Sequence, residues 1–161
     1  MKTYFSIIYN IIYYNKGIEK FIYFFSAHYW MIVKYLGISV KTKINSGFRF
    51  QCHPSSSYSP LFYFKYGEHE DIRFLIKNSH LSQTFIDVGA NIGLVTGYLF
   101  GQFKTMYLFE PFKETFNALK TSIDLNANSG VEFKAIQMGL SDDDGFIDFV
   151  DEGYLSSVNR A

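Results

Sequence analysis

Cysteine is nearly absent: Cys52 stands alone among 161 residues, so no internal disulfide can form and nothing points to an oxidising compartment. Cys52-His53 is no metal motif either, because no second Cys or His pair is spaced to complete four ligands. A long apolar run is also missing. The stretch "FIYFFSAHYWMIV", bounded by Lys20 and Lys34, falls short of the roughly 20 residues that span a bilayer as a helix. The opening "MKTYFSIIYNIIYYNKG" has one early Lys and an apolar stretch, as a signal peptide would, but Asn10 interrupts it and no small-x-small cleavage site follows, so nothing here argues for secretion. There is no internal repeat, no low-complexity tract and no Gly-Lys-Ser/Thr tripeptide, and the last absence excludes a P-loop.

What is present is globular. Apolar residues make up 48% of the chain and charged residues 19%, enough for one domain with a core, and 18 Phe with 13 Tyr make it unusually aromatic. The formal net charge of zero hides an asymmetry. Residues 1–50 carry seven Lys or Arg against the single acid Glu19, so fourteen of the fifteen acids lie beyond position 50. A basic, aromatic leader thus precedes an acidic body. The leader reads either as a helix pair with its lysines in solvent or as a peripheral contact, through residues 1–40, with a membrane or a protein. The expected location is cytoplasmic, at a membrane periphery in the second case. Nucleic acid is not an expected partner, since phosphate binding needs a basic track and the body is acidic.

Along the chain, residues 3 to 37 read as two aromatic helices broken near "NKG", with Gly37 as a C-terminal stop. "GFRFQCHP" alternates Phe48, Phe50 and Cys52 with Arg49, Gln51 and His53, the period of a half-buried strand. "SSSYSP" is a loop. "EHEDIRFLIKNSH" predicts a helix with acids in its first turn and Ile72, Leu75 and Ile76 on one face. From Thr84 the pattern becomes strand ("TFIDV"), helix ("GLVTGYLFG"), strand ("TMYLFE"), helix ("FKETFNALKTSIDLN"), strand ("VEFKAIQM") and turn ("GLSDDDG"). Such alternation predicts right-handed crossovers and a parallel sheet: an α/β fold preceded by an aromatic helical extension. The boundary falls between an extension over 1–44 and a domain over 45–161.

Asp87 to Gly93 sits at the carboxyl end of the first of these strands, where open parallel sheets bind ligands. The missing side chains at Gly89 and Gly93 would let a ligand approach the backbone, and the helix that follows would turn its first N–H groups toward it. A dinucleotide loop needs G-x-G-x-x-G, but counting from Gly89 puts Asn91 and Leu94 where the second and third glycines belong. The pattern present is D-x-G-x-N-x-G. Its leading carboxylate would repel a diphosphate and favour a ligand carrying sulfonium and ammonium groups, as S-adenosylmethionine does. Glu110, 23 residues after Asp87 at the end of the second strand, is placed to accept hydrogen bonds from two ribose hydroxyls. It supports an adenosine without choosing between cofactors; Asp87 and Asn91 make that choice.

"FIDVGANIG", "LFEPFKETFNALKTSIDLNA" and "IQMGLSDDDGFIDF" resemble the core of the FkbM-type methyltransferases, class I S-adenosylmethionine-dependent enzymes, and "YGEHEDIRFLI" resembles their approach helix. The resemblance covers roughly residues 45 to 150. It implies a Rossmann-like sheet and methyl transfer to a hydroxyl oxygen of a sugar, glycan or small metabolite. By matching positions, Asp87, Gly89, Ala90, Asn91 and Gly93 would line the methionine and ribose, and Glu110 would hold the ribose. The Gly139–Asp142 turn, with Leu140 and Ser141, would flank the adenine.

Family members continue into further strands that shape the acceptor site, whereas this sequence stops after the third, so the N-terminal half of such a sheet is expected, ordered 3-2-1 with the first strand as an open edge. The same departure leaves the catalytic base and acceptor groups without a motif; His53, His69 and His80 read as surface or strand residues. Two rival functions stay open: an NAD-binding oxidoreductase fragment and a catalytically inactive interaction module.

Overall fold

A computed structural model describes residues 17–54 and 70–142, together with the backbone of two short strands at 149–150 and 157–158. The first helix expected in the leader, the 55–60 loop, His69 and the end of the acidic turn lie outside the described residues. The chain enters helix α1 (Glu19–Tyr35) and leaves it at Gly37, as the sequence predicts. Among the described residues, no helix is long and apolar enough to cross a membrane.

The next element has no strong signal in the sequence. Val40–Lys43 forms strand β1, which pairs antiparallel with β2 (Arg49–Cys52). Its side chains alternate half-buried Val40 and Thr42 with exposed Lys41 and Lys43. Helix and hairpin join in one core: Trp30 and Val33 of α1 pack with Phe48, Phe50 and Cys52 and with Ile92 of the glycine loop. Residues on both sides of position 44 therefore share an interior. Burial in it pushes the Cys52 thiol up to about 12, which marks it as a packing residue.

Helix α2 (Glu70–Asn78) carries Glu70 and Asp71 in its first turn. Its Ile72 is buried and Leu75 half-buried in the second core, while Ile76 faces solvent more. Three parallel strands follow: β3 (Thr84–Val88), β4 (Thr105–Phe109) and β5 (Glu132–Ile136), in the spatial order β3-β4-β5. Helices α3 (Leu94–Tyr98) and α4 (Lys113–Asp124) are the crossovers. The α/β class, the parallel pairing and the strand order all match the sequence reading, and among the described residues β3 is an edge. A further two-stranded antiparallel pair, β6 (Phe149–Val150) with β7 (Ser157–Val158), was not foreseen.

Two devices hold the hairpin on the sheet layer. The β2 edge turned away from β1 meets side chains of α4 and of the turn after it instead of a strand: Arg49 N–H donates to Asn126 Oδ1 at 3.1 Å and Gln51 N–H to Ser122 Oγ at 3.3 Å. Asn126 returns a bond to the Arg49 carbonyl at 2.8 Å. The second device is close approach. A Cβ on Gly97 of α3 would sit 2.5 Å from the Phe50 ring and 3.2 Å from the Phe48 ring, so only glycine lets the hairpin aromatics reach that helix.

Candidate functional site

The carboxyl ends of β3, β4 and β5 lie along one edge of the parallel sheet, and each carries a segment singled out in the sequence. Asp87 is the last but one residue of β3. Its position in the strand turns it to the helix-covered side, where it is 9% exposed. Thr96 of α3 donates its hydroxyl proton to Asp87 Oδ2 at 3.0 Å. Burial pushes the Asp87 carboxyl above the ordinary carboxylate range; the Thr96 hydroxyl opposes the shift, and the nearby Glu110 charge adds to it. Thr96 was missed in the sequence. Its only signal is that it is the one aliphatic hydroxyl in the short helix after the loop.

Glu110, just beyond β4, is 7% exposed and holds the loop. Its Oε2 accepts from Asn91 N–H and its Oε1 from Phe112 N–H, both at 2.9 Å, while its own N–H donates to the Ile136 carbonyl and extends the ladder toward β5. One carboxylate thus ties the glycine loop of the first crossover to the start of α4. Each oxygen accepts one of these bonds and can accept a second, so capacity for a ligand's hydroxyls remains.

Every N–H group of the loop from 89 to 93 is bonded within the protein. Gly89 and Ala90 N–H both donate to the Phe109 carbonyl at 2.9 Å, Asn91 to Glu110, Ile92 to Asn91 Oδ1 at 2.7 Å, and Gly93 to the Ala90 carbonyl at 2.8 Å. A row of open donors is what a pyrophosphate requires, and this loop does not present one. The helix beyond it is five residues long, so the expectation that its first turn supplies anion-binding N–H groups gains no support.

The residues between the carboxylates divide by cause. Gly93 begins α3 at φ 86°, and a Cβ there would lie 2.7 Å from Leu119 Cδ1, so its missing side chain serves packing on α4 rather than a ligand. Gly89, at φ 77°, has open space where a Cβ would be. There the sequence reading of a ligand approach keeps its force. Asn91 holds φ 52°, a conformation that Asn tolerates better than most residues, and its side chain caps the following N–H. Ala90 is buried in the sheet core.

The Gly139–Asp142 turn follows β5 on the same edge, with Leu140 and Ser141 exposed and Ser141 Oγ bonded to Asp142 Oδ1 at 3.1 Å. The structure therefore joins Asp87, Asn91 and Glu110 in one corner and sets Leu140 and Ser141 on the same edge one strand further out. The exposed His53 and His80 belong to other elements. No family model matches this chain, and neither does any curated protein.

Proposed function

We propose that the corner between β3 and β4 binds S-adenosylmethionine and that the chain is a class I methyltransferase of the FkbM type, acting on a hydroxyl of a sugar, glycan or small metabolite. One observation carries this reading: two buried carboxylates converge on a loop whose N–H groups are all engaged, an environment that favours a cation with hydroxyls over a diphosphate. The residues fit the cofactor. Asp87 would face its positively charged methionine portion and Glu110 its ribose. Gly89 and Asn91 would form the wall, with Leu140 and Ser141 on the adenine side. When bound, S-adenosylmethionine supplies an electrophilic methyl carbon on a positively charged sulfur.

The protein's own contribution is electrostatic and positional. Asp87 is held at an unfavourable burial cost that an arriving cation relieves, which shifts its proton equilibrium back toward the carboxylate. Glu110 fixes the loop through Asn91 and so presents Gly89 and Asn91 in one arrangement. Fixing groups before the ligand arrives is how a methyl donor and an acceptor oxygen come into line.

Calorimetric titration with S-adenosylmethionine and S-adenosylhomocysteine tests the proposal, with NAD as competitor. Both adenosyl ligands bind, and Asp87→Ala and Glu110→Ala each weaken them by about tenfold to a hundredfold, the scale of a lost charged hydrogen bond. Affinity falls as the pH is lowered through the raised Asp87 value. NAD binding in place of the adenosyl ligands, or unchanged binding in both variants, overturns the reading.

A further inference from the structure

We propose that the outer face of α1 lies in the interface of an anionic phospholipid bilayer. The inference is independent of the methyl-transfer reading. The inner face of α1 is fixed, since Ala27, Trp30 and Val33 are buried and the latter two join the hairpin core. A second face of the helix points outward. It carries Ile18, Ile22, Phe25, Tyr29, Ile32 and Leu36 at intervals of four and three, each more than half exposed. Phe21 beside them is 66% exposed. An apolar stripe of this extent is uncommon on a surface meant for water.

Charge decides the occupant. Seven of the fifteen basic residues and one acid lie in the first 50, and Lys41 and Lys43, in the strand that follows the helix, are exposed. A second copy docking symmetrically would bring the same basic segment against itself. The stripe is almost wholly hydrocarbon, which leaves a specific protein partner poorly served with hydrogen bonds. A bilayer needs no such bonds. It accepts Phe and Tyr rings at the boundary and attracts lysines to its anionic headgroups. At 17 residues the helix is about 25 Å long, below the roughly 30 Å hydrocarbon thickness, so it lies in the plane.

The test is flotation of the full chain with vesicles of phosphatidylcholine alone or doped with phosphatidylserine. The chain floats with the doped vesicles and not with the neutral ones, and added salt weakens the association. Phe25→Glu with Ile32→Glu abolishes flotation while leaving the melting midpoint unchanged, because both side chains are mostly exposed. Lys41→Gln and Lys43→Gln reduce partitioning by about fivefold for each lysine. Absence of flotation, or flotation that survives the double glutamate variant, overturns the proposal. So does a lipid-free dimer, without vesicle binding, that the same variant converts to a monomer.

Discussion

The two faces of the β3-β4-β5 sheet are made from alternate residues of the same strands, yet they meet different surroundings. One face carries Phe85, Met106, Leu108, Phe133 and Ala135 into a core shared with α2, α3 and α4, and Met106 and Leu108 are wholly buried. The other carries Ile86 and Val88, exposed at 58% and 60%, beside half-buried Tyr107, Phe109 and Ile136. The strands advance in one direction from β3 to β5, so right-handed crossovers place both connecting helices on the same side. Apolar residues on both faces fit a parallel sheet, which is ordinarily covered twice. The lesson is that strand composition announces that a face is to be covered, and connectivity decides whether this stretch of chain covers it.

The largest effect is expected on the covered face. Leu108→Ala removes a fully buried side chain from the central strand and should cost about 2–5 kcal/mol in urea unfolding. Next comes the contact between the layers. Gly97→Ala sets a methyl carbon against the Phe50 and Phe48 rings and should cost about 1–3 kcal/mol, because those rings are themselves held in the hairpin core. Phe50→Leu in the same molecule should recover part of that loss, which identifies the clash as its source.

The sequence made β3, β4, β5 and α4 legible because period and punctuation agreed: the strands are short apolar runs, the first two with an acid, Asp87 or Glu110, within one residue of their carboxyl ends, and Leu119 and Ile123 repeat at helical spacing. Asp87 and Glu110 were legible for the same reason, since an acid ending an apolar strand is conspicuous. Strand β1 was not, because Val40 and Thr42 give only two inward positions between lysines. Their burial depends on Trp30 and Phe50, which are distant in sequence. Thr96, Ser122 and Asn126 were equally hidden. Each is a polar residue in a helix or, for Asn126, just past its end, and only the tertiary arrangement shows that it serves a carboxylate or the β2 edge.

Asp87 is the only charged residue that strand alternation places on the covered face, so it should behave unlike its neighbours. Asp87→Asn keeps the size and can still accept from Thr96, but removes the buried charge. Because the native carboxyl titrates above its ordinary 3.8, the wild-type protein loses stability as the pH rises through the native value. The variant should therefore be more stable at neutral pH by about 0.5–2 kcal/mol, a gain that shrinks as the pH falls toward 3.8. Urea midpoints across that range measure it. If the variant is less stable at neutral pH, Asp87 is a structural anchor and not a site held at a cost.

The smallest effect belongs to the bare face. Ile86→Thr keeps a β-branched side chain in β3 and exchanges a methyl-bearing arm for a hydroxyl at a position already mostly in water, so the change in stability should stay within about 0.5 kcal/mol. The comparison then stands as drawn: equal strand chemistry, unequal cover. A loss as large as that of Leu108→Ala would mean that Ile86 is buried in solution by something beyond the described residues. A dilution series distinguishes the sources, since cover by a second copy makes the melting midpoint fall with concentration, whereas cover from within the chain does not. Either kind of cover would lie against β3 on the face opposite to the one that carries Asp87.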